Sequence, residues 1–214
     1  MTSYFFDTNI LFKMFFTSQA FDECEVRDYL TPSSRRFISK NVEYEFSNIF
    51  LEFTSKSNHF LIEPYYRLDE LQRKVTLDEF QRLTNDIEVL KFNSNNISSM
   101  IWDCICEDKK SILRHDFKKG LHDFIFSFNS YFHFKYAKLM DMMSVHTRLD
   151  RYDEIKETLK PHIHRADLEI CLDAHDIAVK NGINNLVFVS GDKTFKRNSV
   201  LICENTKISE IILI

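Results

Sequence analysis

The sequence predicts an α/β fold with three layers (α/β/α), in which a mainly parallel sheet lies between helices and a helical insertion interrupts the chain. Short apolar runs typical of buried strands occur near both ends of the chain, where they alternate with helix-like segments. Between about residues 63 and 160, strand signals are few, and apolar residues recur at helical spacing. We therefore expect one domain over residues 1–214, with a helical insertion at about 63–160.

The chain begins with a predicted strand and helix. Tyr4–Phe6 is a short, apolar, β-prone run. Thr8 or Asn9 can cap a helix from about residue 10 to 16, because their side chains can accept hydrogen bonds from amides of its first turn. A second helix is predicted at about residues 21–30, before a Pro-Ser-Ser break.

A second strand and helix follow this break. Residues 36–39, Arg-Phe-Ile-Ser, form the predicted strand. Asn41 can cap the next helix, in which apolar residues from Val42 to Phe53 lie at helical spacing. The order strand, helix, helix, strand, helix favours a parallel sheet.

The middle of the chain is predicted to be helical. Candidate helices span residues 64–74, 76–91, 95–107, 110–129 and 131–147. The segment from Thr76 to Glu79 has the form of a capping box, which marks the start of a helix. An aromatic stripe at helical spacing favours a packed core over a ligand site, and its members are Phe117, Leu121, Phe124, Phe128 and Phe132.

The last part of the chain returns to alternating helices and strands. A helix at about residues 167–181 ends at Gly182, as is common just after a helix. Leu186–Val189 is a continuous apolar run, typical of a central strand buried on both faces. A further strand is predicted at residues 199–203, and residues 208–214 form either a short helix with an apolar tail or a last strand.

Composition and charge argue against several classes of protein. The formal net charge is -4, so binding to nucleic acid by bulk attraction is not expected, although bound cations can reverse the sign of an acidic site. The three glycines stand too far apart for a glycine-rich phosphate loop. The five cysteines form no Cys-x-x-Cys pair, which favours free thiols in a reducing compartment over disulfides or zinc. With no signal-peptide pattern and no membrane-length apolar run, we expect a cytoplasmic protein that does not enter the membrane.

Four acidic residues are placed to meet at one edge of the predicted sheet. Asp7 directly follows the first strand, and Asp192 closely follows the strand at 186–189. Because ligands bind beyond the carboxyl ends of parallel strands, neighbouring strands would bring these carboxylates together. Glu45 lies in the first turn of the helix after the second strand. Asp167 begins the helix that leads into the strand at 186–189. If this helix simply returned antiparallel to that strand, we would expect Asp167 at the opposite edge of the sheet, so we expect the connection from the insertion to bring it to the carboxyl edge.

Clustered carboxylates repel one another unless a cation neutralises them. Their hard oxygen ligands select Mg²⁺ or Mn²⁺. One or two such ions can activate water and stabilise the leaving oxygen of a phosphodiester. The pattern therefore favours metal-dependent hydrolysis of phosphodiester bonds.

The first two acidic segments resemble those of PIN-domain ribonucleases. Residues 4–11, Tyr-Phe-Phe-Asp-Thr-Asn-Ile-Leu, are similar to the strand, Asp-Thr-Asn and helix that open that family. Residues 38–46 resemble the second acidic block, in which a glutamate is followed by an apolar residue. This match favours Glu45 over Glu43.

The last two acidic segments extend the resemblance. Asp167, followed seven residues later by Ala174, resembles the third block, and residues 186–195 resemble the fourth. The Ser-Gly-Asp sequence, together with Asp167 and Asp173, is also similar to the NYN branch of the superfamily. The choice between Asp167 and Asp173 stays open, although a surface position is favoured for Asp173, as it is for Asp176. The resemblance covers roughly residues 3–50 and 161–203, and it assigns no role to the long helical middle.

The resemblance implies a metal-dependent endoribonuclease that hydrolyses RNA, with Mg²⁺ or Mn²⁺ as its cofactor. Asp7, Asp167 and Asp192 would hold the metal. Glu45 would hold it or orient the attacking water. Hydrogen bonds that position the carboxylates would come from Thr8, Asn9 and Ser190.

Basic residues near the acids have two interpretations. Contacts to RNA phosphates and a solvated surface are equally favoured for Lys193, Lys196 and Arg197. A surface loop is favoured over acid-base or phosphate contacts for His162 and His164, which lie near Arg165.

Several other functions stay open. A catalytically inactive PIN-like scaffold would bind RNA or protein without chemistry. A toxin would be regulated by an antitoxin, or another protein partner, bound to the helical insertion. A flap-nuclease-like enzyme would cleave DNA with a similar core. Phosphatase chemistry is disfavoured, because it usually needs a second aspartate at the position of Asn9.

Overall fold

The computed structural model divides the chain into two compact units. The described residues are 2–17, 33–85, 87, 94–106 and 109–214. Met1–Asn48 and Lys135–Ile214 form the first unit, and Ile49–Phe134 forms the second. The helix predicted at residues 21–30 lies outside the described residues.

Strands and helices alternate along the chain. The strands are β1 (Ser3–Phe6), β2 (Arg35–Ser39), β3 (Lys74–Thr76), β4 (Ser111–Leu113), β5 (Ser144–His146), β6 (Leu186–Ser190) and β7 (Ile208–Leu213). The helices are α1 (Thr8–Thr17), α2 (Lys40–Arg67), α3 (Leu77–Thr84), α4 (Ser94–Cys106), α5 (Arg114–Asp141), α6 (Asp153–Leu159), α7 (Arg165–Lys180), α8 (Lys193–Arg197) and α9 (Ser199–Asn205). Within the described residues, no helix has the length and apolarity needed to cross a membrane.

The sheet of the first unit has five strands in the order β5-β2-β1-β6-β7. Every neighbouring pair is parallel, and at the centre Phe5 of β1 is in register with Phe37 of β2 and Phe188 of β6. The carboxyl ends of all five strands therefore lie at one edge. The predicted α/β class with a mainly parallel sheet is confirmed, and the segment after residue 207 is strand β7 rather than a helix.

Aromatic packing fixes the two central strands against each other. Phe5 and Phe188 are fully buried, and their rings stack with 5.2 Å between centroids. Phe188 also contacts the buried ring of Phe195 in α8, at 4.8 Å. Burying one such side chain contributes about 1.5–3 kcal/mol, so the ends of β1 and β6 are held in a defined register.

The predictions for residues 110–129 and 131–147 are wrong, because one continuous helix, α5, replaces two. No proline interrupts this stretch, and Gly120 has a packing role within it. A Cβ atom at Gly120 would lie 2.5 Å from the side chain of Ile105, so glycine lets α4 and α5 approach closely. Strand β5, which follows α5 and joins the sheet beside β2, was not predicted.

Two further predicted elements are wrong. The helix predicted at 64–74 is instead the end of α2, a 3₁₀ turn at Leu68–Glu70 and the start of β3. The strand predicted at 199–203 is helix α9. In that run Ile202 is fully buried while Val200 is 69% exposed, although residues two apart would lie on the same face of a strand.

The second unit has its own core, and the predicted capping box begins α3. Glu79 accepts a hydrogen bond from the Thr76 amide at 2.9 Å, and Thr76 accepts one from the Glu79 amide at 3.4 Å. Strands β3 and β4 pair antiparallel. Four of the five residues of the aromatic stripe pack in this core as predicted: Phe117 and Leu121 are fully buried, and Phe124 and Phe128 are partly buried. Phe132 does not belong to this core, although its ring lies 4.6 Å from that of Phe128.

Candidate active site at the carboxyl edge of the sheet

Asp7 lies buried at the end of the central strand β1. Its amide donates to the carbonyl of Val189 in β6 at 3.1 Å, which continues the sheet pairing by one residue. The side chain accepts three hydrogen bonds: Oδ1 from the Thr8 amide at 2.7 Å, and Oδ2 from Asn9 Nδ2 at 2.8 Å and Ser190 Oγ at 2.7 Å. With only 5% of the residue exposed, this carboxylate is held in one orientation.

The electrostatic surroundings of Asp7 disfavour its charged form. Burial raises its pKa from 3.8 to about 6, although the hydrogen bonds from Ser190 and Thr8 act in the opposite direction. The negative charges of Glu45 and Asp167 raise this pKa further. Asp7 is therefore a carboxylate that a proton or a cation would stabilise.

Ser190 and Asn9 connect Asp7 to Asp192. Ser190 Oγ accepts a hydrogen bond from the Asp192 amide at 3.0 Å, and Asn9 Oδ1 accepts one from the Gly191 amide at 2.7 Å. A Cβ atom at Gly191 would lie 3.2 Å from this Asn9 oxygen, so glycine suits the close approach. Asp192 Oδ1 caps α8 by accepting from the Thr194 amide at 2.7 Å.

Glu45 joins the same network through Thr8. The Thr8 hydroxyl donates to Glu45 Oε2 at 2.7 Å. Glu43, the neighbouring acid on α2, instead pairs with Lys40. Glu45 is exposed, so its carboxylate is accessible from solvent.

The predicted helix caps are wrong, because those side chains have other partners. Thr8 and Asn9 lie inside the first turn of α1, where they bond to the acidic residues rather than to helix amides. The first turn of α2 is capped by Ser39, whose Oγ accepts from the Val42 amide at 3.2 Å. Asn41 donates its side-chain amide to Asp173 instead.

Asp167 lies in the first turn of α7 and faces the other acids. Burial raises its pKa, and the charges of Asp192 and Glu45 add to this effect, while His164 opposes it. The expected special connection is not needed. Helix α7 runs antiparallel to β6, the strand that follows it, so the first turn of α7 lies at the carboxyl edge of the sheet. We call Asp7, Glu45, Asp167 and Asp192 the acidic site.

The surface positions favoured for Asp173 and Asp176 are wrong. Asp173 is 2% exposed and accepts from Asn41 Nδ2 at 2.8 Å, with Arg148 Nε at 3.4 Å. Burial raises the pKa of Asp173, and hydrogen bonds from Ser39 and Asn41 oppose this. Asp173 therefore supports the ends of β2 and α2 rather than facing the acidic site.

Asp176 forms a buried cluster with residues that the sequence did not single out. Its carboxylate is fully buried and lies 2.6 Å from both His146 Nε2 and the Tyr152 hydroxyl. Burial raises the pKa of Asp176, but these two hydrogen bonds outweigh it, so the pKa is lowered overall. A carboxylate therefore accepts from both groups. Because His146 and Tyr152 are far from Asp176 along the chain, no local sequence signal could have shown the cluster.

The predicted phosphate contacts on α8 differ in their surroundings. Lys193, Lys196 and Arg197 are all exposed. Lys196 Nζ donates to the carbonyl of Ile211 at 3.2 Å and so ties α8 to β7. Lys193 and Arg197 have neither an ion pair nor a side-chain hydrogen bond with any residue that the structure describes.

The donor chemistry of the acidic site suits a hard cation. The Asp167 carboxylate accepts no hydrogen bond from the described residues. At Asp192 one carboxylate oxygen accepts a hydrogen bond from the described residues and the other does not. Over the described ranges, no group of three His, Cys, Asp or Glu side chains is arranged to hold a metal ion. The acidic site therefore differs from a zinc site, in which protein side chains supply most of the metal ligands. Mg²⁺ is usually coordinated by one or two carboxylates together with waters and substrate phosphates.

No family model, curated protein or solved structure matches this chain significantly. Fold alone does not establish function, so the side chains at the sheet edge must carry the functional conclusion. Their distinguishing feature is an acid buried at the end of the central strand, surrounded by three further acids.

Proposed function

We propose that the protein is a metal-dependent endoribonuclease with a three-layer, PIN-like first unit. One observation carries the proposal: Asp7 is buried and oriented by three donors, while Glu45 and Asp167 add negative charge to its surroundings. A stable fold gains nothing from acids gathered around a buried carboxylate with a raised pKa. Perturbed acids of this kind are typical of functional sites.

The four acids divide into two parts in the proposed reaction. Mg²⁺ or Mn²⁺, when bound, would supply an activated water and stabilise the leaving oxygen of the phosphodiester. Asp7, Asp167 and Asp192 would hold the cation, one or two of them directly and the others through its bound waters. Glu45 is more exposed, and Thr8 fixes one of its oxygens, so it would orient the attacking water or take its proton.

Ser190 and Asn9 would keep the site in position for this chemistry. Ser190 Oγ contacts the Asp7 carboxylate and the Asp192 amide, so a single hydroxyl sets the spacing of two proposed ligands. Asn9 binds Asp7 with its amide group and the Gly191 backbone with its oxygen. Such outer contacts typically change metal affinity or activity by about 10–100-fold when removed.

A cleavage assay tests the proposal. Wild-type protein and the Asp7→Asn variant would be incubated with labelled single-stranded RNA or DNA in Mg²⁺, Mn²⁺ or EDTA. We expect RNA cleavage that needs the metal. The cleavage rate should fall at least about a hundredfold in Asp7→Asn, because loss of a metal ligand should reduce activity more than loss of an outer contact does. The matched control is Glu204→Gln, which removes one exposed negative charge from α9, and it should retain full cleavage.

The other outcomes separate the alternatives. Full metal-dependent cleavage by Asp7→Asn would contradict the site assignment. Preference for DNA would favour flap-nuclease-like chemistry. Absence of cleavage, together with no Mn²⁺ binding by calorimetry, would support an inactive scaffold that binds RNA or protein.

A further inference from the structure

A group of exposed basic residues lies beside the acidic site on the β6 side of the sheet. We call this group the basic rim, and it consists of His162, His164, Arg165, Lys193 and Arg197. The first three come from the loop before α7 and its first residue, and the last two lie on α8. All five are exposed.

Contacts hold these two basic segments next to each other. Asn198 follows α8, and its side-chain amide donates to the carbonyl of His162 at 3.3 Å and to that of Thr194 at 2.9 Å. Each segment also adjoins a proposed metal ligand, since Lys193 follows Asp192, and His164 lies close enough for its charge to act on Asp167. The basic rim therefore borders one side of the acidic site.

The basic rim differs from the cations toward β5. There Arg148 and Lys156 both pair with Glu169, and Lys180 pairs with Asp150 at 2.7 Å. By contrast, no member of the basic rim forms a side-chain hydrogen bond or ion pair with the described part of the chain. On the β5 side Arg151 is likewise exposed and forms no ion pair with the described residues, but it lies beside these paired cations. The basic rim differs in that it gathers several such groups beside two proposed metal ligands, in a protein whose net charge is -4.

We propose that the basic rim binds phosphates of the RNA strand adjacent to the scissile phosphate, so that the strand crosses the β6 side of the site. This inference rests on the proposed nuclease function, because the rim is defined by its position beside the acidic site. Phosphate contacts fix the register of a nucleic acid without reading its sequence, and exposed lysine and arginine side chains are suited to them. The rim would also offset the repulsion between RNA and the acids.

Binding measurements in EDTA test the rim without cleavage. The probe is a labelled single-stranded RNA, and its affinity is measured by fluorescence anisotropy over a range of salt concentrations. The Lys193→Ala/Arg197→Ala variant should bind on the order of tenfold more weakly at low salt. Its slope of log affinity against log salt should fall by about 1.4, because each phosphate contact to a single strand contributes about 0.7.

The matched control is Lys160→Ala/Lys180→Ala, which removes two positive charges from the same unit outside the rim. This control should keep the wild-type slope of log affinity against log salt. If its RNA affinity fell as much as that of the rim variant, the rim would be overturned as a defined site. Unchanged binding by the rim variant, or no RNA binding by the wild type, would also overturn it. Cleavage measured in parallel with Mg²⁺ separates the two proposals. RNA binding that depends on the rim, without cleavage, would reject the nuclease function and support the rim as an RNA-binding site. Cleavage by a protein whose RNA binding does not depend on the rim would support the nuclease function and reject the rim.

Discussion

Asp7 should make the stability of the metal-free protein depend on pH. Its pKa is about 6 in the folded protein, against an ordinary value of 3.8, so between these values the folded state binds more protons than the unfolded state. Stability therefore falls as pH rises through this window. The net cost of ionising Asp7 in the folded protein amounts to about 3 kcal/mol at most, from about 1.36 kcal/mol per pKa unit.

Urea unfolding in EDTA at pH 4 to 7 measures this effect. The free energy of unfolding of the wild type, minus that of Asp7→Asn, should decrease by up to about 3 kcal/mol across the window. Asp7→Asn carries no titrating group at this position, so the subtraction removes the contribution of acids that do not interact with Asp7. A difference that is constant with pH, or that rises, would contradict the raised pKa.

At the scale of secondary structure elements, burial decided which predictions succeeded. Strand β6 is buried at all five positions, and its apolar run predicted it. Strand β5 has only three residues at the sheet edge, and its central Val145 is 41% exposed, so it gave no apolar run. Helix α9 was mistaken for a strand because its β-branched run suggested one, although packing covers mainly one residue, Ile202.

The same limit applies to the side chains of the site. The ends of two predicted strands located Asp7 and Asp192 at one edge, because strand ends can be read from local sequence. The burial of Asp173 and Asp176 could not be read in this way, since their partners Asn41 and His146 come from other elements. In the sequence, a buried acid cannot be distinguished from a surface acid unless the distant residues that donate hydrogen bonds to it are known.

The Asp176 cluster should stabilise the contact of α7 with β5 and the start of α6. Asp176→Ala would leave His146 and Tyr152 without their acceptor, so we expect a loss of about 2–4 kcal/mol in urea unfolding. Tyr152→Phe removes one hydrogen bond and keeps the His146 pair, so it should cost about 1 kcal/mol. Because the pKa of Asp176 is lowered, its contribution is present at neutral pH and is lost as pH falls below the ordinary carboxyl range. Wild-type stability in Asp176→Ala would show that the cluster is not structural.

Across the whole molecule, 32 Asp and Glu residues outnumber 28 Lys and Arg residues, and the acidic site concentrates part of that negative excess beside a buried carboxylate. A divalent cation that binds only the folded protein should therefore raise its thermal stability. At a free Mn²⁺ concentration of 100 times Kd, the gain is about 2.7 kcal/mol. For a protein of this size it corresponds to a rise in Tm of about 5–10 °C.

Differential scanning calorimetry with added Mn²⁺, followed by EDTA, measures this gain and its reversal. The Asp7→Asn/Asp192→Asn variant should show little or no rise in Tm, since it lacks two of the proposed ligands, while Glu204→Gln should respond as the wild type does. An equal rise in the double variant would place the cation elsewhere on the molecule. The absence of any rise in the wild type at millimolar Mn²⁺ would mean that the four acids do not form a metal site without substrate, and the cation would then have to enter together with the RNA phosphate.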